Sequence, residues 1–225
     1  MGKIPFWKRI LSYFKEFHVE SAPSELNPHL YVSLSRGRYM LSTANAIYSH
    51  GDLYTNFRET FKKIDWNKVK GKHTLLLGVG LASIPMILEK LGHELTYVGV
   101  EIDPNVIYLA SKYVLPDLHS PIHIYESDAQ SFVKTHPGEK FDIICMDIFD
   151  DDTIPTAFQK KSFLNDMKAL LKPKGVVFVN TLLKSDKGEI SNDKLHKNLQ
   201  DVFPKGEFVQ VGPNAIYVSK SSYLK

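Results

Sequence analysis

From His73 onward, short apolar runs alternate with stretches of helical periodicity, and few folds accept that pattern. The runs Thr74–Leu77, Leu95–Val100, Ile122–Tyr125, Ile143–Met146 and Val176–Val179 are nearly continuous in large apolar residues. Strands covered on both faces need that composition. Between them, Ile84–Leu91, Pro104–Val114, Ala129–Thr135 and Phe158–Leu171 space their apolar residues as helices do. Strand–helix alternation implies right-handed βαβ units and a largely parallel sheet. The ending differs. Ser191 to Val202 reads as a helix, and Glu207–Val211 and Ala215–Ser219 flank the turn Gly212, Pro213, Asn214. Two strands joined so tightly must be antiparallel. The fold class expected is therefore α/β, a mainly parallel Rossmann-like sheet with a terminal antiparallel hairpin.

The first 65 residues lack this alternation. Phe6, Trp7, Ile10, Leu11, Phe14 and Phe17 recur at helical spacing, with Lys3, Lys8 and Arg9 among them. Lys15 and Glu16 interrupt the apolar stretch, so it does not read as a signal peptide. A helix packing on its own domain or on a partner subunit is expected in preference to a basic amphipathic helix on a membrane surface. Ser21 to Asn27 reads as a linker, and His29–Ser35, Arg38–Thr43 and Ala44–Ser49 as short strands. Asp52 to Ile64 carries Leu53, Phe57, Phe61 and Ile64 on one helical face. The division expected is an N-terminal helix and small antiparallel appendage over 1–65, then a Rossmann-like domain over 66–225.

Composition narrows the function classes. The 225 residues carry a formal charge of only +3, with Lys and Arg spread along the chain, so no nucleic-acid partner is expected. No apolar stretch is long enough to cross a bilayer, and no membrane partner is expected. One cysteine, Cys145, excludes an intramolecular disulfide and fits a reducing, cytoplasmic compartment. It lies within an apolar run and reads as buried filler rather than a nucleophile.

The residues that can carry chemistry sit where strands end. Thr74–Leu77 runs into Gly78, Val79 and Gly80 and then a helix, so the backbone can turn sharply and let a ligand approach. Glu101 with Ile102 ends the second strand about 20 residues on, where an acid accepts ribose hydroxyls. Asp103 is placed to cap the helix beginning at Pro104. Asp128, followed by Ala129, ends the third strand and either accepts from an adenine amine or caps the next helix. The strand from Phe141 delivers Asp147 to the edge where open α/β sheets bind ligands, and a carboxylate there can orient an amine or take its proton. Asp150, Asp151 and Asp152 follow it. They form either a divalent-cation site or a solvated loop, and no metal is expected because no further ligand follows at suitable spacing.

From roughly Tyr31 to Leu183 the chain resembles the spermidine synthase branch of the S-adenosylmethionine-dependent methyltransferase superfamily. The resemblance rests on the N-terminal strands, the glycine turn, Glu101-Ile102-Asp103, Lys112-Tyr113, Asp128-Ala129 and the strand and loop Phe141–Asp150. It implies a cofactor-binding set of Gly78, Gly80, Glu101, Ile102, Asp128 and Ala129, with Glu101 on ribose and Asp128 on adenine. It also implies Asp147 and Asp150 as the catalytic carboxylates. The cofactor would be S-adenosylmethionine or its decarboxylated form. The terminal hairpin fits this superfamily better than a nicotinamide dehydrogenase.

Departures from the pattern point in one direction. Where synthases carry Asp in the glycine turn this chain has Leu81; Ile47 stands for a cofactor-contacting Gln, Asn56 for a Tyr of the amine pocket, and Asp150-Asp151 for Asp-Pro. A carboxylate near the cofactor's tail repels the carboxylate of intact S-adenosylmethionine, and Leu81 removes that repulsion. Methyl transfer to a small-molecule acceptor is therefore expected ahead of spermidine synthase-like aminopropyl transfer in polyamine biosynthesis. A non-catalytic nucleoside-binding relative is the third reading. The aromatic N-terminal helix and the strand appendage are compatible with a homodimer.

Overall fold

A computed structural model describes residues 4–27, 29–44, 46–136, 138–151, 153–182 and 190–225. After a short helix α1 (Phe6–Leu11), strands β1 (Phe17–Ala22), β2 (Leu30–Ser35), β3 (Arg38–Ser42) and β4 (Ile47–Ser49) form an antiparallel sheet in the order β1-β2-β3-β4. A single 3-10 turn at Gly51–Leu53 then leads into α2 (Thr55–Lys62).

The second sheet follows the alternation read from the sequence. Its strands are β5 (His73–Leu77), β6 (Thr96–Glu101), β7 (Ile122–Glu126), β8 (Phe141–Met146), β9 (Leu171–Leu182), β10 (Glu207–Val211) and β11 (Asn214–Val218). They lie in the order β10-β11-β9-β8-β5-β6-β7. The β7, β6, β5, β8 and β9 pairs are parallel, and β10 and β11 join as the antiparallel hairpin. Helices α3 (Ser83–Lys90), α4 (Pro104–Tyr113), α5 (Ala129–Thr135), α6 (Lys161–Ala169) and α7 (Ile190–Val202) complete the chain. Alternate strand residues feed two cores. Leu76, Ile143, Cys145 and Phe178 pack with Phe57 and Phe61 of α2 and Leu88 of α3. Leu75, Leu77, Ile144, Met146 and Val179 pack with Phe132, Phe163 and Leu199 on the other face. Cys145 is fully buried, and burial pushes its thiol pKa well up, which fits a filler.

Successive strands leave β5 in both directions, β6 and β7 to one side and β8 and β9 to the other. The reversal between β5 and β8 is the topological switch point of an open parallel sheet, and ligands bind outside the carboxyl ends of strands there.

Three expectations for the N-terminal region do not hold. Phe17 belongs to a strand rather than to the first helix, and the stretch expected as a linker from Ser21 begins inside β1. β1 pairs only with β2 at the sheet's edge and buries Ala22 alone, so its sequence carries little alternation. The apolar stripe of α1 does not pack on its own domain either, for no residue of that helix is buried.

Candidate active site

The two strands that flank the switch point close on each other at their carboxyl ends. Gly78 leaves β5 at φ +87°, and a Cβ there would stand 2.3 Å from the main-chain oxygen of Asp147. The Gly78 N–H donates to the Val100 carbonyl at 2.9 Å, and the Asp147 N–H to Leu77 at 2.8 Å. Only glycine fits both the dihedral and the gap. Gly80 also lies at positive φ, +53°, and Ala82 then takes the left-handed conformation at the cap of α3. Leu81 does not face the opening that results: it is fully buried in the core beneath the turn.

A cavity of about 720 Å³ opens above this turn. Gly78, Gly80, Glu101, Ile102, Asp128, Ala129, Asp147 and Asp150 all line it, so the candidate cofactor-binding and catalytic residues drawn from the sequence meet in one place. A volume of this size suits a nucleoside-sized ligand with room for a second molecule.

Glu101 ends β6 and reaches back over the glycine turn. One carboxylate oxygen accepts from the N–H groups of Val79 (3.0 Å) and Gly80 (3.3 Å); the other accepts from Ile102 (3.0 Å) and Asp103 (3.2 Å). Burial pushes its pKa up, against the four N–H groups that favour the ionised form. All four acceptor sites of the carboxylate are thus in use, and a ribose hydroxyl would have to take over one of them. Ile102 beside it is exposed at the mouth of the cavity. Asp103 caps α4 by accepting from Asn105 N–H at 2.9 Å, as its place before Pro104 predicts. Its second oxygen accepts from Ser24 Oγ (2.5 Å) and Asn27 Nδ2 (3.0 Å), which ties the β1–β2 connection to this edge. Asp128 lines the cavity and also caps α5 through Ser131 N–H at 2.9 Å. Of the alternatives drawn from the sequence the cap is made, and it commits one oxygen.

Asp147, one residue past β8, is a second perturbed acid of the wall. Burial pushes its pKa up to about 6, aided by the charge of Glu101 and opposed by hydrogen bonds from Asn180 and Tyr54. Asn180 Nδ2 and Tyr54 Oη both donate to Asp147 Oδ1, at 2.9 and 3.4 Å. Asn214 Nδ2 in turn donates to Asn180 Oδ1 at 3.1 Å and fixes which way that amide faces. A carboxylate held this way is ionised at neutral pH yet close to its pKa, the condition for a general base.

Asp150 differs from Asp147 in being exposed on the cavity's edge. Its main chain pairs with Thr153 in a tight turn, with Asp151 at φ +53°. Asp151 is tethered to the small sheet: its N–H donates to Tyr48 Oη at 2.8 Å and its carboxylate accepts from Thr43 Oγ1 at 2.8 Å. Asp152 lies outside the described residues. Among those described, no three His, Cys, Asp or Glu side chains come together to hold a metal ion.

Tyr54, Asn180 and Asn214 are absent from the candidates drawn from the sequence. Asn180 left a readable signal, a buried amide closing the apolar run Val176–Val179 beside the strand that carries Asp147. Tyr54 left none, since an aromatic residue before a helix is more often core.

Residues 69–219 match the spermine/spermidine synthase domain. The polyamine aminopropyltransferase of Vibrio vulnificus (strain CMCP6) is 32% identical over 118 residues, 52% of this chain and 40% of that protein. The N-terminal histidine N-methyltransferase of Emericella nidulans is 32% identical over 115 residues, 49% of this chain and 20% of that protein. The chain therefore spans less than half the length of these curated relatives. Among solved structures, spermidine synthase from Thermotoga maritima superposes with a TM-score of 0.66 at 17% identity, over 90% of this chain and 72% of that one. Human methyltransferase-like protein 13, solved in complex with SAH, superposes with a TM-score of 0.59 at 22% identity, over 72% and 78%. At these identities the structural likeness is one of fold.

Proposed function

The chain belongs to the spermine/spermidine synthase family, and from that premise we propose that it is an S-adenosylmethionine-dependent transferase whose reaction is methyl transfer to a small-molecule acceptor. The observation that carries the choice of group is Leu81. With that side chain buried in the core, the glycine turn brings no carboxylate of its own to the cavity wall. Nothing in the turn then repels the carboxylate of an intact methionine tail.

The residues present fit such a cofactor. The positive-φ glycines keep the turn free of side chains where an adenosyl group would lie, and Glu101 and Asp128 stand at the ends of successive strands beside it. When bound, the cofactor supplies an activated methyl group on a sulfonium, already a good leaving group. The protein then has to align, dehydrate and deprotonate. Glu101 holds the turn in shape through Val79 and Gly80, and a ribose hydroxyl would take over one of the acceptor sites that main-chain N–H groups now fill. Ile102 gives apolar surface to a base. Asp147, oriented by Asn180 and Tyr54, takes the proton that the acceptor's nucleophile loses.

Aminopropyl transfer to an amine is the second reading, favoured by the likeness to the Vibrio vulnificus aminopropyltransferase and by Asp147 and Asp150 lining the same cavity. The two carboxylates would then grip a polyamine. Calorimetric titration with S-adenosylmethionine, its decarboxylated form and methylthioadenosine, repeated on Glu101→Gln, separates these readings. Binding of the intact cofactor, weakened at least about tenfold in the variant, is expected. Tighter binding of the decarboxylated form, with methylthioadenosine released in the presence of diamines, would replace methyl by aminopropyl transfer. Binding of none of the three would leave the non-catalytic reading.

A further inference from the structure

The side chains with the highest exposure among the large hydrophobics stand together at the N-terminus. Phe6 is 78% exposed, Trp7 59% and Phe14 87%, with Ile10, Leu11 and Tyr13 also in water. Such a cluster is unfavourable in water and marks a surface that something covers. We propose that α1 and the turn after it form a docking surface for a bilayer that carries anionic lipid.

The patch is held firmly by its other side. Ser12 is buried; its Oγ accepts from Gly37 N–H at 2.7 Å and its carbonyl from Arg36 N–H at 2.8 Å. A Cβ on Gly37 would come within 3.3–3.4 Å of the Arg9 chain and the Tyr13 ring, so both pack directly over the turn between β2 and β3. The helix is thus seated on that hairpin while its aromatic side chains face outward. Ordering entropy is already spent before anything docks.

Charge decides the occupant. Lys8, Arg9 and Lys15 lie within the segment, and Arg36 is brought beside it by the hairpin turn; Glu16 is the acid of the same stretch. A second copy docked through this patch about a two-fold axis would set like cations near one another. Anionic headgroups neutralise them instead. Trp, Tyr and Phe beside Lys and Arg is also the composition that settles at the headgroup level of a bilayer. Six helical residues give a rod of about 9 Å, enough to lie in the interface and far too short to cross it. Among the described residues no helix is long and apolar enough to span a membrane. The attachment is therefore peripheral and reversible, and it does not depend on which group the active site transfers.

Vesicle co-sedimentation of the whole chain tests this, with phosphatidylcholine vesicles and with vesicles that also contain phosphatidylserine. The protein is expected to pellet with the anionic vesicles, less so as salt is raised, and hardly at all with the zwitterionic ones. Trp7→Ser combined with Phe14→Ser should cut binding at least about tenfold, with an unchanged far-ultraviolet circular dichroism spectrum because both side chains lie in solvent. Lys8→Glu combined with Lys15→Glu should weaken binding to the anionic vesicles while leaving the spectrum unchanged. No pelleting with either vesicle overturns the proposal, as does pelleting that the aromatic variant leaves intact. A dimer in sedimentation velocity that the aromatic variant dissociates, without vesicle binding, would assign the patch to a second copy instead.

Discussion

Asp147 works against the stability of the molecule that holds it. Its pKa is pushed up to about 6 by burial, above the value of 3.8 for a free aspartate, so the folded state keeps a proton that the unfolded chain has released between about pH 4 and pH 6. Stability falls as pH rises through that window and stays lowered above it. Asp147→Asn keeps the acceptor oxygen for Asn180 and Tyr54 but removes the charge. The variant should therefore be more stable by about 1–2 kcal/mol at pH 7.5, a figure reduced from the full shift because the group faces an open cavity. The gain should vanish near pH 4, and transferase activity should be lost at both. Thermal unfolding at the two pH values checks the sign, and a lower midpoint at pH 7.5 would show that the carboxylate is favourable as it stands. Asp147 was legible in the sequence because an acid ending an apolar strand has few structural excuses. Its supports were not. Asn180 reaches it from β9 and Tyr54 from the segment before α2, and local pattern does not say which strands become neighbours.

At the scale of elements, the glycine turn shows why one substitution cannot simply be reversed. Leu81 is fully buried among Ala82, Ile84 and Leu88, so the position where synthases carry Asp is a core position in this chain. Leu81→Asp would put a carboxylate into that core without a partner. We expect it to lower stability by at least about 3 kcal/mol, from lost packing and from the desolvated charge, and not to raise affinity for decarboxylated S-adenosylmethionine. Urea unfolding and calorimetry read the two effects. A stable variant with tighter binding of the decarboxylated cofactor would mean that the turn reorients to expose the acid. The strands and helices on either side were readable because both faces of the large sheet are covered, which leaves near-continuous apolar runs. β1 was not, since an edge strand that buries only Ala22 needs no alternation. The first helix was read longer than it is for a related reason. Its aromatic spacing runs on through Phe14 to Phe17, while the helix stops at Leu11 and the chain turns to meet Arg36 and Gly37.

Across the whole molecule the two sheets are joined by polar contacts as well as by the core. Asp52 follows β4 and is nearly inaccessible to water; it bonds Arg38 of β3 and, at 2.5 Å, Lys90 of α3. The chain's last residues return to the segment after α2, with Asp65 N–H donating to Tyr223 at 2.8 Å and Lys225 N–H to Lys63 at 2.8 Å. Phe61 of α2 meets Phe178 of β9 with ring centroids 5.2 Å apart. Contacts of this kind couple the small sheet to the large one, so both should unfold in one cooperative transition. Burial pushes the Asp52 pKa up, but Arg38 and Lys90 together overcome it and hold the carboxyl below the usual aspartate range. A depressed folded pKa contributes stability above about pH 4 that is lost as pH falls through the folded value. Asp52→Asn should accordingly lower stability by about 1–3 kcal/mol at pH 7.5, less than for a fully buried pair because Arg38 and Lys90 can turn to solvent. The difference from wild type should shrink as the pH is taken below 4. Differential scanning calorimetry should still show a single transition, because α2 and the returning C-terminal residues remain in place. Two separated transitions in the variant would mean that Asp52 alone couples the sheets; a midpoint unchanged at pH 7.5 would mean that the ion pairs contribute nothing net.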